Sequence, residues 1–144
     1  MEYIIFLDVD GVLNQLQPWY IDNTCIKNLG QLCKQLHTTK IVLTSSWRKG
    51  WNRDTTKCTP QIITLMKYLN AEGMSIIGRT RDMGDRLAEV LDYCESHDIK
   101  HYVILDDDRS EFSRNVENLY ITNSKTGLTI MDIKNIKRLF NRMK

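Results

Sequence analysis

The sequence lacks the features that would place the chain in a membrane, in a linker-joined assembly or among repeat proteins. No stretch approaches the ~20 consecutive apolar residues that a membrane-spanning helix requires. The two prolines and seven glycines form no linker, and no segment recurs along the chain. At 144 residues, the chain has the length of one ordinary domain. We therefore expect a single domain over residues 1–144.

Cysteine is scarce, and its positions match no metal-binding motif. The four cysteines lie at positions 25, 33, 58 and 94, without the close pairs that ligate zinc. We expect reduced thiols in a cytoplasmic protein, and no signal peptide, because acidic residues follow the first apolar run. The three histidines share no spacing and receive no role. The formal net charge of +2 neither requires nor excludes a nucleic-acid partner, and nothing indicates a membrane or an obligate protein partner.

The most informative stretch that is present is residues 3–14, in which five apolar residues lead directly to Asp8 and Asp10. Such a run is typical of a strand buried on both faces of a parallel sheet, and these folds place their chemistry at the carboxyl ends of the strands. Gly11 lets the backbone turn away sharply. Two carboxylates held this close repel each other unless a proton or a cation intervenes, and oxygen ligands favour Mg²⁺. A helix–loop–helix calcium site is excluded, because that loop needs its glycine two residues later and has no preceding strand.

An isolated Asp-x-Asp-Gly motif is as easily a solvated turn, so three later segments decide the interpretation. Residues 40–48 form a second apolar run that leads into three hydroxyl residues, which suit a phosphate. Residues 101–108 form a third run, and its three terminal aspartates could complete a metal site. Between them, residues 85–94 show helical spacing of apolar residues with a cation, Arg86, near the start. Turn residues, a helix cap and a surface cation would explain each segment alone, but their occurrence in this order favours one active site.

This order of motifs resembles the haloacid dehalogenase (HAD) superfamily, and the resemblance covers nearly the whole chain. Residues 43–48, the helix that contains Arg86, residues 104–107 and residues 127–129 look like the small HAD domains of modular RNA-repair proteins. The resemblance implies a single doubly wound, Rossmann-like α/β domain with a mostly parallel central sheet. It also implies a phosphatase without a folded cap domain.

The resemblance assigns roles to the acidic residues. Asp8 matches the nucleophile that forms an aspartyl-phosphate, and Asp10 matches the general acid/base, with its backbone carbonyl as a metal ligand. Asp106 and Asp107 match the acidic pair that holds Mg²⁺ together with Asp8, and Asp107 is the expected direct ligand. Asp108 is expected to have no part in the site.

The resemblance also places hydroxyl, glycine and arginine residues around the phosphate. The residues expected there are Thr44, Ser45, Gly11, Arg48 and Arg86. Thr44 matches the phosphate-binding hydroxyl, and Arg86 matches the cation that neutralises the phosphoryl oxygens. Most relatives have lysine at this last position, so Arg79 and Arg81 remain competitors for the role.

The expected reaction is Mg²⁺-dependent hydrolysis of a phosphomonoester, which relies on positioning and charge neutralisation. Dehalogenation is not expected, because the Asp10 position and the metal-site positions are acidic. The substrate stays open among nucleotides, sugar phosphates, phosphoproteins and 3′- or 5′-phosphorylated nucleic-acid ends. A phosphoacceptor receiver domain uses similar residues, but there the acidic pair comes first in the chain. A non-catalytic interaction domain would normally have lost a carboxylate or the cation.

The coarse secondary structure alternates strands and helices, as in a parallel sheet covered on both faces. Predicted helices span about 22–36, 60–72, 84–96 and 129–143, and predicted strands span 3–7, 40–44, 74–77, 102–105 and 119–122. The inserts at 15–21 and 48–59 could host a lid but are too short for a folded cap. By analogy, an open site would admit large substrates such as polynucleotide ends.

Residues 47–53 alternate tryptophans with basic side chains. Backbone phosphates attract cations and unpaired bases stack on indoles, so this segment is a candidate surface for single-stranded ends. The alternative is structural, with Trp47 packed under the loop and Arg48 in a salt bridge. The sequence leaves both interpretations open.

Overall fold

Five parallel strands form the central sheet, and their order places the first strand in the middle. The strands are β1 (Ile4–Leu7), β2 (Lys40–Leu43), β3 (Ser75–Arg79), β4 (Tyr102–Asp106) and β5 (Leu119–Ile121). The computed structural model describes residues 3–17, 20–113, 116 and 118–143, and within these ranges the strand order is β3-β2-β1-β4-β5. All neighbouring strands are parallel. The predicted single α/β domain is confirmed, with a sheet that is parallel throughout.

In the described part of the chain, three helices connect strands and a fourth follows β5, and all four begin close to where the sequence predicts. They are α1 (Asn23–Gln35), α2 (Pro60–Ala71), α3 (Arg86–Ser96) and α4 (Ile130–Met143). The side chains of Asp22, Thr59 and Asp85 cap the first three helices by accepting a hydrogen bond from a first-turn amide. Helix α3 begins two residues after the predicted Gly84, because Asp85 takes the capping position and Gly84 has a φ of 79°.

Both faces of β1 are buried, which explains its unbroken apolar sequence. Ile5 and Leu7 belong to a cluster that includes residues of α1, α2 and α4. Ile4 and Phe6 point to the opposite face and belong to a second cluster with residues of α3. The Phe6 ring meets the Tyr93 ring of α3 edge-on, with the centroids 5.7 Å apart. Helices therefore cover both faces of the sheet, and its carboxyl edge is left to the loops.

The loops at that edge contain no folded cap within the described ranges. The segment around residues 48–59 forms two short 3₁₀ turns, Ser46–Gly50 and Thr55–Lys57. The other predicted insert, residues 15–21, lies partly outside the described residues, which omit 18 and 19. None of the helices in the part of the chain that the structure describes combines the length and apolar content of a membrane span.

The four cysteines are free thiols. Burial raises the pKa of Cys33 to about 12, and that of Cys25 and Cys94 to about 11. These three thiols are therefore protonated near neutral pH and are poor nucleophiles or metal ligands. Their role is to pack in the two apolar clusters.

Candidate active site and metal centre

Asp8 continues the central strand by one residue at the carboxyl edge of the sheet. Its amide donates to the carbonyl of Leu105 in β4, and the amide of Thr44 donates to the carbonyl of Leu7, both at 3.0 Å. The sheet hydrogen bonding thus extends on both sides of Asp8, which is only 8% exposed. Asp8 therefore lies where β1, β2 and β4 end together, the position at which open α/β sheets carry their ligands.

Three carboxylates converge at this point. Ligand oxygens of Asp8, Asp106 and Asp107 all lie within 4.8 Å of one another. Asp106 ends β4 and is buried, whereas Asp107 is half-buried. Gly11 has a φ of +82°, and a Cβ at this position would overlap the Asp107 carboxylate. Glycine is therefore needed at position 11 for the turn and also for the close approach of Asp107.

The acidic cluster carries more negative charge than its protein neighbours compensate. Burial and then the charge of Asp106 raise the pKa of Asp8 well above its ordinary value. Burial also raises the pKa of Asp106, against the opposing effects of the Asp108 amide and Arg86. The Arg86 guanidinium contacts two of the three carboxylates, Asp8 and Asp106, and a divalent cation with oxygen ligands would supply the missing charge. The residues present therefore fit Mg²⁺.

Arg86 is the cation that the fold brings to the carboxylates. It opens α3, and its Nη1 lies 2.9 Å from Asp106 Oδ2 and 3.7 Å from Asp8 Oδ1. The two competing arginines lie elsewhere: Arg79 donates to the backbone carbonyl of Arg48 at 2.9 Å, and Arg81 pairs with Asp92 at 2.8 Å. Of the three arginines that the sequence offered, Arg86 is thus the one in contact with the acidic cluster.

The hydroxyl of Thr44 is completely buried and has no hydrogen-bond partner among the described residues. An unpaired buried hydroxyl costs about 1–3 kcal/mol, so its presence calls for an explanation. A phosphate oxygen would supply the missing acceptor. The adjacent Ser45 is also buried, and its Oγ accepts a bond from the Trp47 amide at 3.1 Å. Ser45 thus caps the 3₁₀ turn and keeps its hydroxyl proton available for donation.

Asp10 is held by two donors, neither of which the sequence assigned. Its Oδ1 accepts a bond from Asn14 Nδ2 at 2.9 Å, and its Oδ2 accepts one from Trp47 Nε1 at 3.1 Å. Asn14 is completely buried and also accepts the amide of Gly11 at 3.0 Å. The Gly11 amide, which was expected at the phosphate, is therefore already bonded. The only sequence signal for Asn14 is an amide residue four positions after Asp10 in a tight loop.

Arg48 is buried in a salt bridge, the alternative that the sequence left open. Its guanidinium donates to the carbonyl of Thr44 and lies 3.2 Å from Glu89 Oε1. Its Nη2 also lies 3.6 Å from Asp82 Oδ1. Internal partners therefore engage the Arg48 guanidinium, and its contact with phosphate stays a prediction. Glu89 is only 3% exposed, accepts the Met83 amide at 2.9 Å, and lies 3.7 Å from Arg86 Nε. Sequence reasoning missed Glu89, although an acidic residue one turn after Arg86 was a usable signal.

The segment 47–53 does not present its tryptophans to solvent. Trp47 and Trp51 are both buried, and Trp47 packs in the main apolar cluster. Arg53 lies over the Trp51 ring, with its Cζ 5.8 Å from the centroid. Lys49 and Arg53 remain exposed. The segment therefore offers cations, but not the indole stacking surface that the sequence suggested.

The late motif at residues 127–129 braces the loop that carries Asp10. The Leu128 amide donates to the carbonyl of Val12 at 2.7 Å, and Thr122 Oγ1 donates to the carbonyl of Gly11 at 2.8 Å. The chain after β5 thus fixes the backbone directly after the acidic motif.

The comparisons with known proteins agree with this geometry. The family model described as the HAD domain in Swiss Army Knife RNA repair proteins matches residues 4–133. No curated protein and no solved structure matches the chain. The matched residues include the whole parallel sheet and all three clustered carboxylates. The chain therefore belongs to the family of HAD domains found in the Swiss Army Knife RNA repair proteins.

Proposed function

We propose that the chain is a Mg²⁺-dependent phosphomonoester hydrolase that acts on phosphorylated nucleic-acid ends through an aspartyl-phosphate on Asp8. The observation that carries the proposal is the convergence of three carboxylates, a guanidinium and an unpartnered hydroxyl at one edge of the sheet. Phosphoryl transfer needs an aligned nucleophile, anchored phosphoryl oxygens and neutralised charge. These groups meet each of those needs.

The metal requirement follows from the acidic cluster. Asp8, Asp106 and Asp107 would hold Mg²⁺, together with the backbone carbonyl of Asp10. When bound, the ion offsets the charge of the carboxylates and of the phosphoryl oxygens, which favours the ionised form of Asp8. Arg86 adds a second positive charge beside Asp8.

In the first half of the reaction, a carboxylate oxygen of Asp8 attacks phosphorus, and the bond from phosphorus to the ester oxygen breaks. Asp10 gives its proton to the leaving alkoxide, while Asn14 and Trp47 hold its side chain in place. The hydroxyl of Thr44 donates to a phosphoryl oxygen and thereby gains the acceptor that it lacks in the free protein. The products are an alcohol and an acyl phosphate on Asp8.

In the second half, Asp10 is ionised and acts as the base. It accepts a proton from a water molecule whose oxygen attacks phosphorus, and the bond from phosphorus to Asp8 breaks. Inorganic phosphate leaves, Asp8 returns to the carboxylate form, and Asp10 is protonated for the next cycle. One water is consumed, and no other reactant is needed.

The family supports a nucleic-acid end as the substrate, because these HAD domains occur in RNA repair proteins. Two properties of the described residues add support. No folded cap covers the sheet edge, so a long chain can reach it. Lys49, Arg53 and Arg79 are exposed, and Lys49 and Arg79 line one concavity, where they would attract backbone phosphates.

The decisive experiment measures phosphate release from matched substrates with and without Mg²⁺. The set comprises 3′- and 5′-phosphorylated oligonucleotides, mononucleotides, sugar phosphates and phosphopeptides. We expect turnover only with Mg²⁺, and the highest kcat/KM for an oligonucleotide. Stoichiometric labelling of the protein without turnover would favour a receiver domain. A preference for mononucleotides or sugar phosphates would make small phosphometabolites the substrates.

Neutralising exposed cations tests the nucleic-acid part separately. The double variant Lys49→Gln/Arg53→Gln should lower kcat/KM for oligonucleotides relative to p-nitrophenyl phosphate, and more strongly at low salt. Each phosphate contact that is lost should also reduce the slope of log affinity against log salt by about one. The matched control is Lys134→Gln/Lys137→Gln, which removes two exposed cations from α4. An equal effect of both double variants would mean that overall charge, not a binding surface, is responsible.

A further inference from the structure

We propose that an aromatic cleft beside Asp10 holds the nucleobase of the nucleotide that carries the scissile phosphate. The cleft lies between the start of α2 and residues 20–21, and it has a volume of about 430 Å³. This volume falls within the ~300–1,000 Å³ that is usual for small-ligand sites. The proposal deepens the proposed function and rests on it, because it names the part of the substrate that the site recognises.

The lining has the composition of a base-binding site. Tyr20 and Tyr68 supply aromatic rings, the buried Trp47 forms part of the wall, and Gln61 and Thr64 of α2 supply polar side chains. Aromatic faces stack on any base, and amide or hydroxyl groups can bond to base edges. Tyr20 is 46% exposed, which is a large aromatic surface left open to solvent. Stacking on a base would cover this surface.

Trp47 contacts both the cleft and Asp10, the proposed acid/base. Its ring lines the cleft, while its indole N–H donates to Asp10 Oδ2 at 3.1 Å. Asn14 makes a second connection, because its Nδ2 donates both to Asp10 Oδ1 and to the backbone carbonyl of Tyr20, each at 2.9 Å. A group in the cleft would therefore lie next to the residue that protonates the leaving oxygen.

The charges around the site distinguish a base from a phosphate as the occupant. None of the described residues that line the cleft is charged. A neighbouring concavity of about 380 Å³ is lined by Lys49, Arg79 and Arg81, with Asp82 as its acidic member. Backbone phosphates would favour that basic concavity, and an uncharged, aromatic group would favour the cleft. Trp47 and Arg48, adjacent in one 3₁₀ turn, line the two concavities, so one strand of nucleic acid could occupy both.

The test compares two oligonucleotide substrates that differ only in the base. Both carry the same terminal phosphate, at the 3′ end in one series and at the 5′ end in another, and the terminal sugar is either normal or abasic. With the unmodified protein, kcat/KM should be higher for the base-bearing end by about fivefold or more. Tyr20→Ala and Thr64→Trp should bring this ratio towards one, the first by removing a ring and the second by filling the cleft.

Two controls separate stacking from general damage. Tyr20→Phe keeps the ring and should keep the ratio, and Met131→Ala, which truncates a 54% exposed side chain on α4, should also keep it. A ratio near one in the unmodified protein, or a ratio that neither Tyr20→Ala nor Thr64→Trp changes, would overturn the cleft proposal and leave the hydrolase proposal intact. Failure to release phosphate from either oligonucleotide, with turnover of small phosphates, would overturn the nucleic-acid substrate and the cleft together.

Discussion

Two arginine–aspartate pairs with nearly equal contact distances lie within residues 81–106 and have opposite surroundings. Arg86 and Asp106 are 2.9 Å apart at the acidic cluster, with side chains 15% and 1% exposed. Arg81 and Asp92 are 2.8 Å apart at the surface, with side chains 74% and 24% exposed. The contact distance alone would rank them as equals.

The difference between the pairs lies in what else each charge contacts. Arg86 also approaches Asp8 and Glu89, so removal of any member leaves a buried charge without compensation. Arg81 and Asp92 face water, which screens them and replaces a lost partner. A substitution in the buried network should therefore have a large effect on activity or stability. A substitution in the exposed pair should change stability little. The following substitutions test that contrast.

Asp8→Asn should have the largest effect. We expect kcat to fall by roughly 10⁵-fold or more, because the amide cannot attack phosphorus. The fold should remain intact, as circular dichroism would verify. Near-normal turnover by a well-folded variant would refute the role of Asp8 as nucleophile. Asp92→Asn, which alters the outer pair, is the matched control and should retain activity.

We also expect Asp8→Asn to change the pH dependence of the free energy of unfolding in the absence of Mg²⁺. The unfolded chain ionises Asp8 near its ordinary pKa, whereas burial raises the folded-state pKa of Asp8. The folded protein thus binds more protons above about pH 4, and its free energy of unfolding falls as pH rises towards the folded-state pKa. Asparagine cannot ionise, so Asp8→Asn should weaken this decline and have the higher Tm at pH 8 in chelator. Thermal melts of both proteins from pH 5 to pH 9 measure the decline. Equal slopes of Tm against pH would contradict the prediction.

Glu89→Gln should have the next largest effect, on stability as well as activity. The substitution keeps the shape but removes the charge between Arg48 and Arg86, and a buried ion left alone costs about 3 kcal/mol. Turnover should fall too, because Arg86 loses a contact that orients it. Glu95→Gln, an exposed position on the same helix, is the control. Unchanged urea unfolding of Glu89→Gln would show that the network contributes nothing to the fold.

Asp107→Ala should weaken Mg²⁺ binding more than Asp108→Ala does. A lost ligand should reduce the affinity at least about tenfold. Asp108 is engaged elsewhere, since its Oδ1 accepts bonds from the amide and hydroxyl of Ser110 at 2.9 and 2.6 Å. Metal titration of both variants checks the order. The reverse order would mean that the assignment within the acidic run is wrong by one position.

Arg81→Ala should have the smallest effect. Loss of the exposed pair is expected to leave the free energy of unfolding almost unchanged, because water screens both charges. A double-mutant cycle with Asp92→Ala, followed by urea unfolding at low and high salt, isolates the coupling between the two residues. A coupling as large as the loss in Glu89→Gln would remove the contrast between the pairs.

The sequence was sufficient for features that depend on local order. Apolar runs predicted the strands, and the helices predicted from about 22 and from 60 begin directly after the capping residues Asp22 and Thr59. The meeting of Asp8 with Asp106 was also predictable, because carboxyl ends of parallel strands share one edge. Contacts made by loop side chains could not be predicted from the sequence. Arg48 reaches Glu89 across 41 positions, and no periodic pattern records such a distance.

The orientation of the Trp47 side chain shows the same limit of prediction from sequence. Its place in the chain allowed either an exposed stacking surface or a packed ring, and both use the same residue type. The fold decides, because the 3₁₀ turn that Ser45 caps directs the ring inward and its N–H to Asp10. Single-residue preference cannot encode that orientation, since it depends on the loop after β1.

The buried hydroxyl of Thr44 implies a conflict between stability and function. Valine has nearly the same shape and no unpaired oxygen, so it would relieve a penalty that the resting protein carries at this position. A chain optimised for heat resistance alone would therefore be expected to replace Thr44. Under the proposed function, the penalty disappears when a phosphate oxygen of the substrate accepts the Thr44 hydroxyl proton. Engineering of a more thermostable version of this domain should therefore leave position 44 unchanged if activity is to be kept.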